Sequence, residues 1–179
     1  MTDAANQYGT ALYELAKDEN LADEILSEIS VLQQVTAEES RFLTLLNAPN
    51  LPKEERCQIL DTVLKGKVHP YLLNFLKILT EKGYMKQFPG CCRVFRDHYN
   101  LDKGILPVTC VTAAPVSPEL QKKLSDKLSS VTGKTIDLIL KVDSACLGGV
   151  RLDFDGKQVD GTVRRRLEDV KNILKNTVL

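Results

Sequence analysis

Apolar residues recur at helical spacing through roughly the first hundred positions and alternate one by one after that. Tyr8, Ala11, Leu12, Leu15 and Ala16 line one face of a first helix, which Thr2 or Asp3 can cap. Leu21, Ile25, Ile29, Leu32 and Val35 predict a second. A short third around Phe42, Leu43, Leu45 and Leu46 has to stop at Pro49. Pro52 in the first turn, Glu54 and Glu55 near the positive end of the dipole, and Gly66 beyond the stripe Ile59, Leu60, Val63 and Leu64 punctuate a fourth. Pro70 opens a fifth, whose Leu72, Leu73, Phe75, Leu76 and Leu79 make it apolar around much of its circumference and predict a central place. A sixth starts near Phe88 and Pro89, passes Cys92, Phe95 and Tyr99, and stops at Gly104. Six short helices in such a length predict a compact bundle.

Beyond Gly104 the period becomes two. Val108, Cys110 and Thr112 alternate with Thr109, Val111 and Ala113 in a first strand over Ile105 to Ala113. Ser117-Pro118-Glu119 starts a helix with a capping serine and a first-turn proline, and its stripe Leu120, Leu124, Leu128 and Val131 ends at Gly133. Ile136, Leu138, Leu140 and Val142, then Val150, Leu152 and Phe154, predict half-buried strands. Asp155-Gly156 is a hairpin turn leading to Lys157 to Val159, and Val163, Leu167, Val170 and Leu174 line a terminal helix. The fold class is α+β: a six-helix bundle over residues 1–104 followed by a small strand-helix domain over 105–179.

Charge supports that division. Residues 1–104 carry 12 basic and 15 acidic side chains, and 105–179 carry 12 and 9. The first 50 residues hold only Lys17 and Arg41 against nine acids, which favours a basic or neutral partner there. Over the whole chain of 179 residues the formal charge is zero, so nothing advertises a nucleic-acid partner. With 43% hydrophobic and 27% charged residues, the composition is that of a globular chain. Charges interrupt every apolar run before it could span a bilayer, and the first residues lack a basic-then-apolar leader, which predicts a non-exported cytosolic protein. The five cysteines are odd in number and form no Cys-x-x-Cys pair, against both a disulfide framework and a zinc site. They read as small buried hydrophobes.

Several short motifs invite chemistry and do not sustain it. Gly133-Lys134-Thr135 ends like a phosphate-binding loop, but Leu128 stands where that loop needs its first glycine, and a helix precedes it where a strand is required. A helix C-cap is the simpler reading. Asp153-Phe154-Asp155-Gly156 imitates a calcium loop with Arg151 at the first ligand position and Thr162 at the last. Arg164-Arg165-Arg166 could meet phosphate or an acidic surface, yet successive helical positions fan out, so a solvated face is favoured. His69 and His98 have no constellation around them that would make a metal site or a catalytic base. Of Cys91 and Cys92, about 100° apart on a helix, one is expected in the core and the other incidental. No nucleophile elbow, zinc-protease helix or dinucleotide loop occurs, so no catalytic residue, cofactor or metal is expected.

Two segments carry a specific pattern. Tyr8-Gly9-Thr10-Ala11-Leu12-Tyr13-Glu14-Leu15-Ala16 resembles the opening helix of the delta subunit of F-type ATP synthases, the bacterial counterpart of the mitochondrial oligomycin-sensitivity-conferring protein. Leu138 to Asp143, then Leu147-Gly148-Gly149-Val150-Arg151-Leu152 and Asp160-Gly161-Thr162-Val163-Arg164-Arg165-Arg166-Leu167, is similar to that family's C-terminal signature. The likeness covers essentially the whole chain. Ser144-Ala145-Cys146 departs from the approach to the double glycine that relatives often show. Physically, Gly148-Gly149 would permit positive φ and a close backbone approach.

The resemblance implies a non-catalytic stator subunit of the F1Fo ATP synthase, coupling rotation to ion flow and ATP synthesis. Its partners would be alpha subunits, through the N-terminal domain, and the peripheral-stalk b subunits, through the C-terminal domain. It would sit at the cytoplasmic face of the cell membrane, attached only through the complex. An apolar groove for an alpha-subunit N-terminal helix would take one wall from Tyr8, Ala11 and Leu12 and the other from Leu72, Phe75, Leu76 and Leu79, residues that ordinary internal packing also explains. Leu147, Gly148, Gly149, Asp160 and Gly161 would be structural. A soluble two-module adaptor of another complex is the alternative.

Overall fold

A computed structural model describes residues 3–48 and 51–167, with backbone alone for Ser40 and Leu43. The chain divides into two compact units, residues 1–99 and 100–179. Together they form an α+β protein, helical first and sheet-bearing second.

The helical unit contains α1 (Asp3–Asp18), α2 (Ala22–Glu38), α3 (Ser40–Leu46), α4 (Lys53–Leu64), α5 (Pro70–Glu81), a 3-10 turn at Met85–Gln87 and the start of α6 (Phe88–Lys103). Its core cluster joins Leu12 of α1, Ile25 and Ile29 of α2, Leu46 of α3, Leu60 of α4, Leu72, Leu76 and Leu79 of α5, and Phe88 and Phe95 of α6. Helix α5 supplies most, burying Leu72, Leu73, Phe75, Leu76 and Leu79 along one broad face. Its start is tightly fixed: the His69 ring nitrogen accepts from Tyr71 N–H at 3.2 Å, Pro70 holds the first turn, and His69 N–H donates to both Glu28 carboxylate oxygens at 3.0 and 2.9 Å. His69 is thus a helix cap.

Three expectations need correction here. Val35 is exposed, and Thr36 takes the inward position, continuing the spacing 25, 29, 32, 36; its hydroxyl donates to Leu32 O at 2.8 Å. Cys91 and Cys92 are both buried, because α6 is covered over an arc wide enough for adjacent positions. Burial pushes the Cys91 thiol up to about 11 and raises Cys92 further. Cys57 is only half-buried, unlike the other four.

The sheet unit contains β1 (Ile105–Thr112), α7 (Pro118–Thr132), β2 (Thr135–Val142), a 3-10 turn at Ser144–Cys146, β3 (Val150–Phe154), β4 (Lys157–Asp160) and helical backbone from 163 to 167. The sheet order is β2-β1-β3-β4, with β1 and β2 parallel and the other pairs antiparallel. Register places Val108, Leu138, Cys110, Leu140, Leu152 and Val159 on one face. The β3-β4 turn is built as its Asp-Gly pair requires, with Asp155 at φ 49° and Gly156 at φ 68°. Ser117 caps α7, and Gly133 ends it at φ 67°.

Helix α7 departs from expectation. None of its residues is buried, with Leu120 57% and Val131 79% exposed. Edge strand β2 likewise leaves Leu140 and Val142 exposed. Val170 and Leu174 of the expected terminal stripe lie outside the described residues.

Candidate interaction surfaces

The residues predicted to wall a groove divide into two groups. Leu12, Leu72, Phe75, Leu76 and Leu79 are buried, held in the helical unit's own core. Tyr8 is half-buried and Ala11 exposed. Continuing outward along α1, Leu15 is 40% exposed and shares the face of Tyr8 and Ala11 at i, i+3, i+7 spacing. Tyr84 extends that surface: its ring lies 5.8 Å from the Tyr8 ring, and its N–H donates to Leu79 O at 2.7 Å, fixing it just beyond the end of α5. So the outward apolar surface runs through Tyr8, Ala11, Leu15 and Tyr84. Leu15 and Tyr84 were not among the predicted groove residues, although Leu15 lay on the predicted stripe.

Within the helical unit α1 and α6 approach most closely at Gly9, where an added Cβ would lie 2.7 Å from Cys91 O and 2.8 Å from Val94 Cβ of α6. Ala5 stands in the same seam, 3.0 Å from a Cβ built on Gly90. Beside it, Tyr13 packs edge-on to Phe95 at 5.3 Å and stacks on His98 at 5.6 Å, while His98 Nε2 and Thr10 Oγ1 share a hydrogen bond of 3.1 Å. His98 is accounted for by packing.

In the sheet unit the double glycine makes a backbone clamp. Gly149 sits at φ 79°, and a Cβ there would fall 2.5 Å from Gly161 O and 3.0 Å from Thr162 Cα. Gly161 N–H donates to Val150 O at 3.0 Å and Val163 N–H to Gly148 O at 3.0 Å, tying the end of β4 to the start of β3. The Asp160 carboxylate accepts from Thr162 N–H at 2.9 Å, and that bond, with one from the Thr162 side chain, holds its pKa below the usual carboxylate value. Thr162 in turn accepts from Arg165 N–H at 3.3 Å, capping the helical turn that follows. Gly148, Gly149, Asp160 and Gly161 therefore meet at one structural joint, with Leu147 beside it at φ 61° and exposed.

Next to that joint lies a groove of about 530 Å³ between α7 and the sheet, lined by Cys110, Leu120, Lys123, Leu124, Lys127 and Val150. A second hollow of about 450 Å³, in the helical unit, is polar and bounded by Lys53, Glu54, Cys57, Glu81 and Lys82. Among the described residues no cluster of three His, Cys, Asp or Glu could hold a metal ion, and no helix is long and apolar enough to cross a membrane. Gly133-Lys134-Thr135 forms the stop of α7, with Ser129 Oγ donating to Lys134 O at 2.7 Å.

Comparison with known proteins bears on these surfaces. The family model described as ATP synthase delta (OSCP) subunit matches residues 4–174. Among curated proteins, the chain is 31% identical to the ATP synthase subunit delta of Enterococcus hirae, covering 94% of this chain and 93% of that one. It is 28% identical to the subunit delta of Clostridioides difficile, covering 97% of each. Among solved structures, a chain of the Toxoplasma gondii mitochondrial ATP synthase hexamer matches with a TM-score of 0.71 at 21% identity, covering 97% of this chain and 98% of that chain, a likeness of fold.

Proposed function

Because the chain belongs to the ATP synthase delta (OSCP) subunit family, it is a non-catalytic stator subunit of the F1Fo complex, peripheral to the membrane, and we propose that its two units bind different partners. In this reading residues 1–104 act as one six-helix bundle that seizes N-terminal segments of alpha subunits. Residues 105–179 receive the b subunits of the peripheral stalk, on the cytoplasmic face of the membrane.

The observation that carries the first assignment is the outward surface of Tyr8, Ala11, Leu15 and Tyr84 on a unit whose core is already closed. Apolar residues left outside a full core are available to a second helix. The acids that dominate the first 50 residues suit a partner helix carrying basic residues around its apolar ridge. Leu12, Leu72, Phe75, Leu76 and Leu79 then shape this surface from below.

A stator must hold through each rotation, so its bonds need long lifetimes; nanomolar affinity corresponds to about 12 kcal/mol. Apolar burial supplies roughly 25 cal/mol per Å², part of which offsets lost freedom on binding. Ala11→Asp places a carboxylate in the middle of the surface, where the native side chain touches solvent. Calorimetry with an alpha-subunit N-terminal peptide is expected to show at least tenfold weaker binding with the helical content unchanged. Equal affinity would refute this surface.

A further inference from the structure

We propose that the free edge of β2 pairs with the same edge of a second copy of this chain, antiparallel and centred on Ile139, in a reversible two-fold dimer of the unassembled subunit.

The two edges of the sheet are built differently. β4 is four residues long, Lys157–Asp160, too short to template much pairing. β2 runs for eight, Thr135–Val142, in unbroken register with β1 and without a proline. Which of its main-chain groups face outward follows from the bonds at its two ends. Thr135 N–H donates to Gly104 O at 3.0 Å and Asp143 N–H to Thr112 O at 2.8 Å, so the odd-numbered residues between them turn to β1. The N–H and C=O of Ile136, Leu138, Leu140 and Val142 therefore point away from the sheet, and no described strand takes them. Side chains along this edge are apolar and open to water, with Ile139 44%, Leu140 38% and Val142 58% exposed.

Charge selects the occupant. Asp137 and Lys141 are exposed, lie about 13 Å apart along the strand and, among the described residues, neither has an ion-pair partner. A two-fold axis makes the paired strands antiparallel. Centred on Ile139, it sets Asp137 of each copy opposite Lys141 of the other, Ile136 opposite Val142 and Leu138 opposite Leu140. Ion pairs and apolar pairs then form together, with outward main-chain groups meeting outward ones. Sliding the register by one pleat in either direction sets Asp137 against Ile139 or against Asp143 and loses both ion pairs. A single strand pair buries less surface than a permanent dimer needs, so the dimer is weak, with a Kd of about 10 to 100 μM.

Sedimentation of the full chain between about 1 μM and about 1 mM is expected to pass from monomer to dimer. A chain that stays monomeric throughout overturns the proposal. In the dimer the amides of Ile136, Leu138, Leu140 and Val142 should gain protection from hydrogen exchange, while those of Asp137, Ile139 and Lys141 are protected at every concentration. Protection of both sets in the dilute monomer would mean that another part of the same chain, residues 168–179 included, covers the edge, and would overturn it too. Lys141→Glu sets acid against acid and should weaken the dimer at least tenfold. Adding Asp137→Lys rebuilds both pairs in the opposite sense and should bring the Kd back to within about threefold of the parent's. A dimer indifferent to the first change, or not restored by the second in a chain of unchanged circular dichroism, uses another surface. In the parent background, Ile139→Cys is expected to link two copies through position 139 under mild diamide oxidation, because the facing α-carbons lie about 4.5 Å apart. No such link at concentrations where the chain is dimeric overturns the register.

Discussion

The two units treat their apolar residues differently. In the helical unit Leu72, Leu76, Leu79 and Phe95 are sealed from water by neighbours drawn from every helix. In the sheet unit full burial is concentrated on β1, with Leu106, Val108, Cys110 and Val111, while α7 contributes no buried residue and β2 leaves Leu140 and Val142 in water. Burying a leucine fully is worth about 1.5 to 3 kcal/mol, so the first unit is stabilised from within. The second is small enough that its core supplies little surplus. Its shortfall would be met by whatever covers α7, since a ligand at a hundred times its Kd adds about 2.7 kcal/mol to apparent stability.

That contrast can be broken most sharply by truncating one leucine in each unit. Leu76→Ala, at the centre of α5, is expected to cost about 3 kcal/mol in denaturant unfolding followed by circular dichroism. Leu124→Ala on the groove wall should cost under about 1 kcal/mol by the same measurement. Equal losses would mean that the sheet unit is as closed as the helical one.

A smaller effect is expected at the clamp. Gly149→Ala forces a Cβ towards Gly161 O at a positive φ and should cost about 2 kcal/mol, read as faster hydrogen exchange in β3 and β4 with the helical unit unaffected. Gly9→Ala should do the reverse, loosening α1 and α6 and sparing the sheet.

The smallest is a dependence on pH. Asp160 has its folded pKa lowered below the ordinary carboxylate value of 3.8 by its hydrogen bonds from Thr162, so its contribution is fully present above that value and is lost as pH falls through the folded pKa. The protection of β4 amides, taken relative to their intrinsic exchange at each pH, should therefore fall in the parent below about pH 4. Asp160→Asn should flatten that response, and an unchanged profile would remove Asp160 from the clamp's energetics.

Much of the fold was legible because its punctuation is local. Pro70 and Gly83 bracket α5, Ser117 and Gly133 bracket α7, and Asp155-Gly156 makes its hairpin, each through φ constraints that a residue type carries with it. What the text concealed depends on neighbours. Whether Val35 or Thr36 faces inward turns on about 100° of helix rotation, and both suit the period. Gly9 reads as a weak point in α1 until Cys91 O is seen to fill its missing Cβ. The stripe on α7 has the pattern of a covered face, but periodicity cannot say what covers it. For the surface on α1 the same ambiguity held: Leu12 and Ala11 share a stripe, yet one is core and the other outward.

The meeting of Gly149 with Gly161 O has an evolutionary consequence. The obstructing atom is a main-chain oxygen, which all twenty amino acids possess, so no replacement at position 161 could make room for a side chain at 149. A randomised library selected for assembly should return glycine at 149 without second-site suppressors at 161.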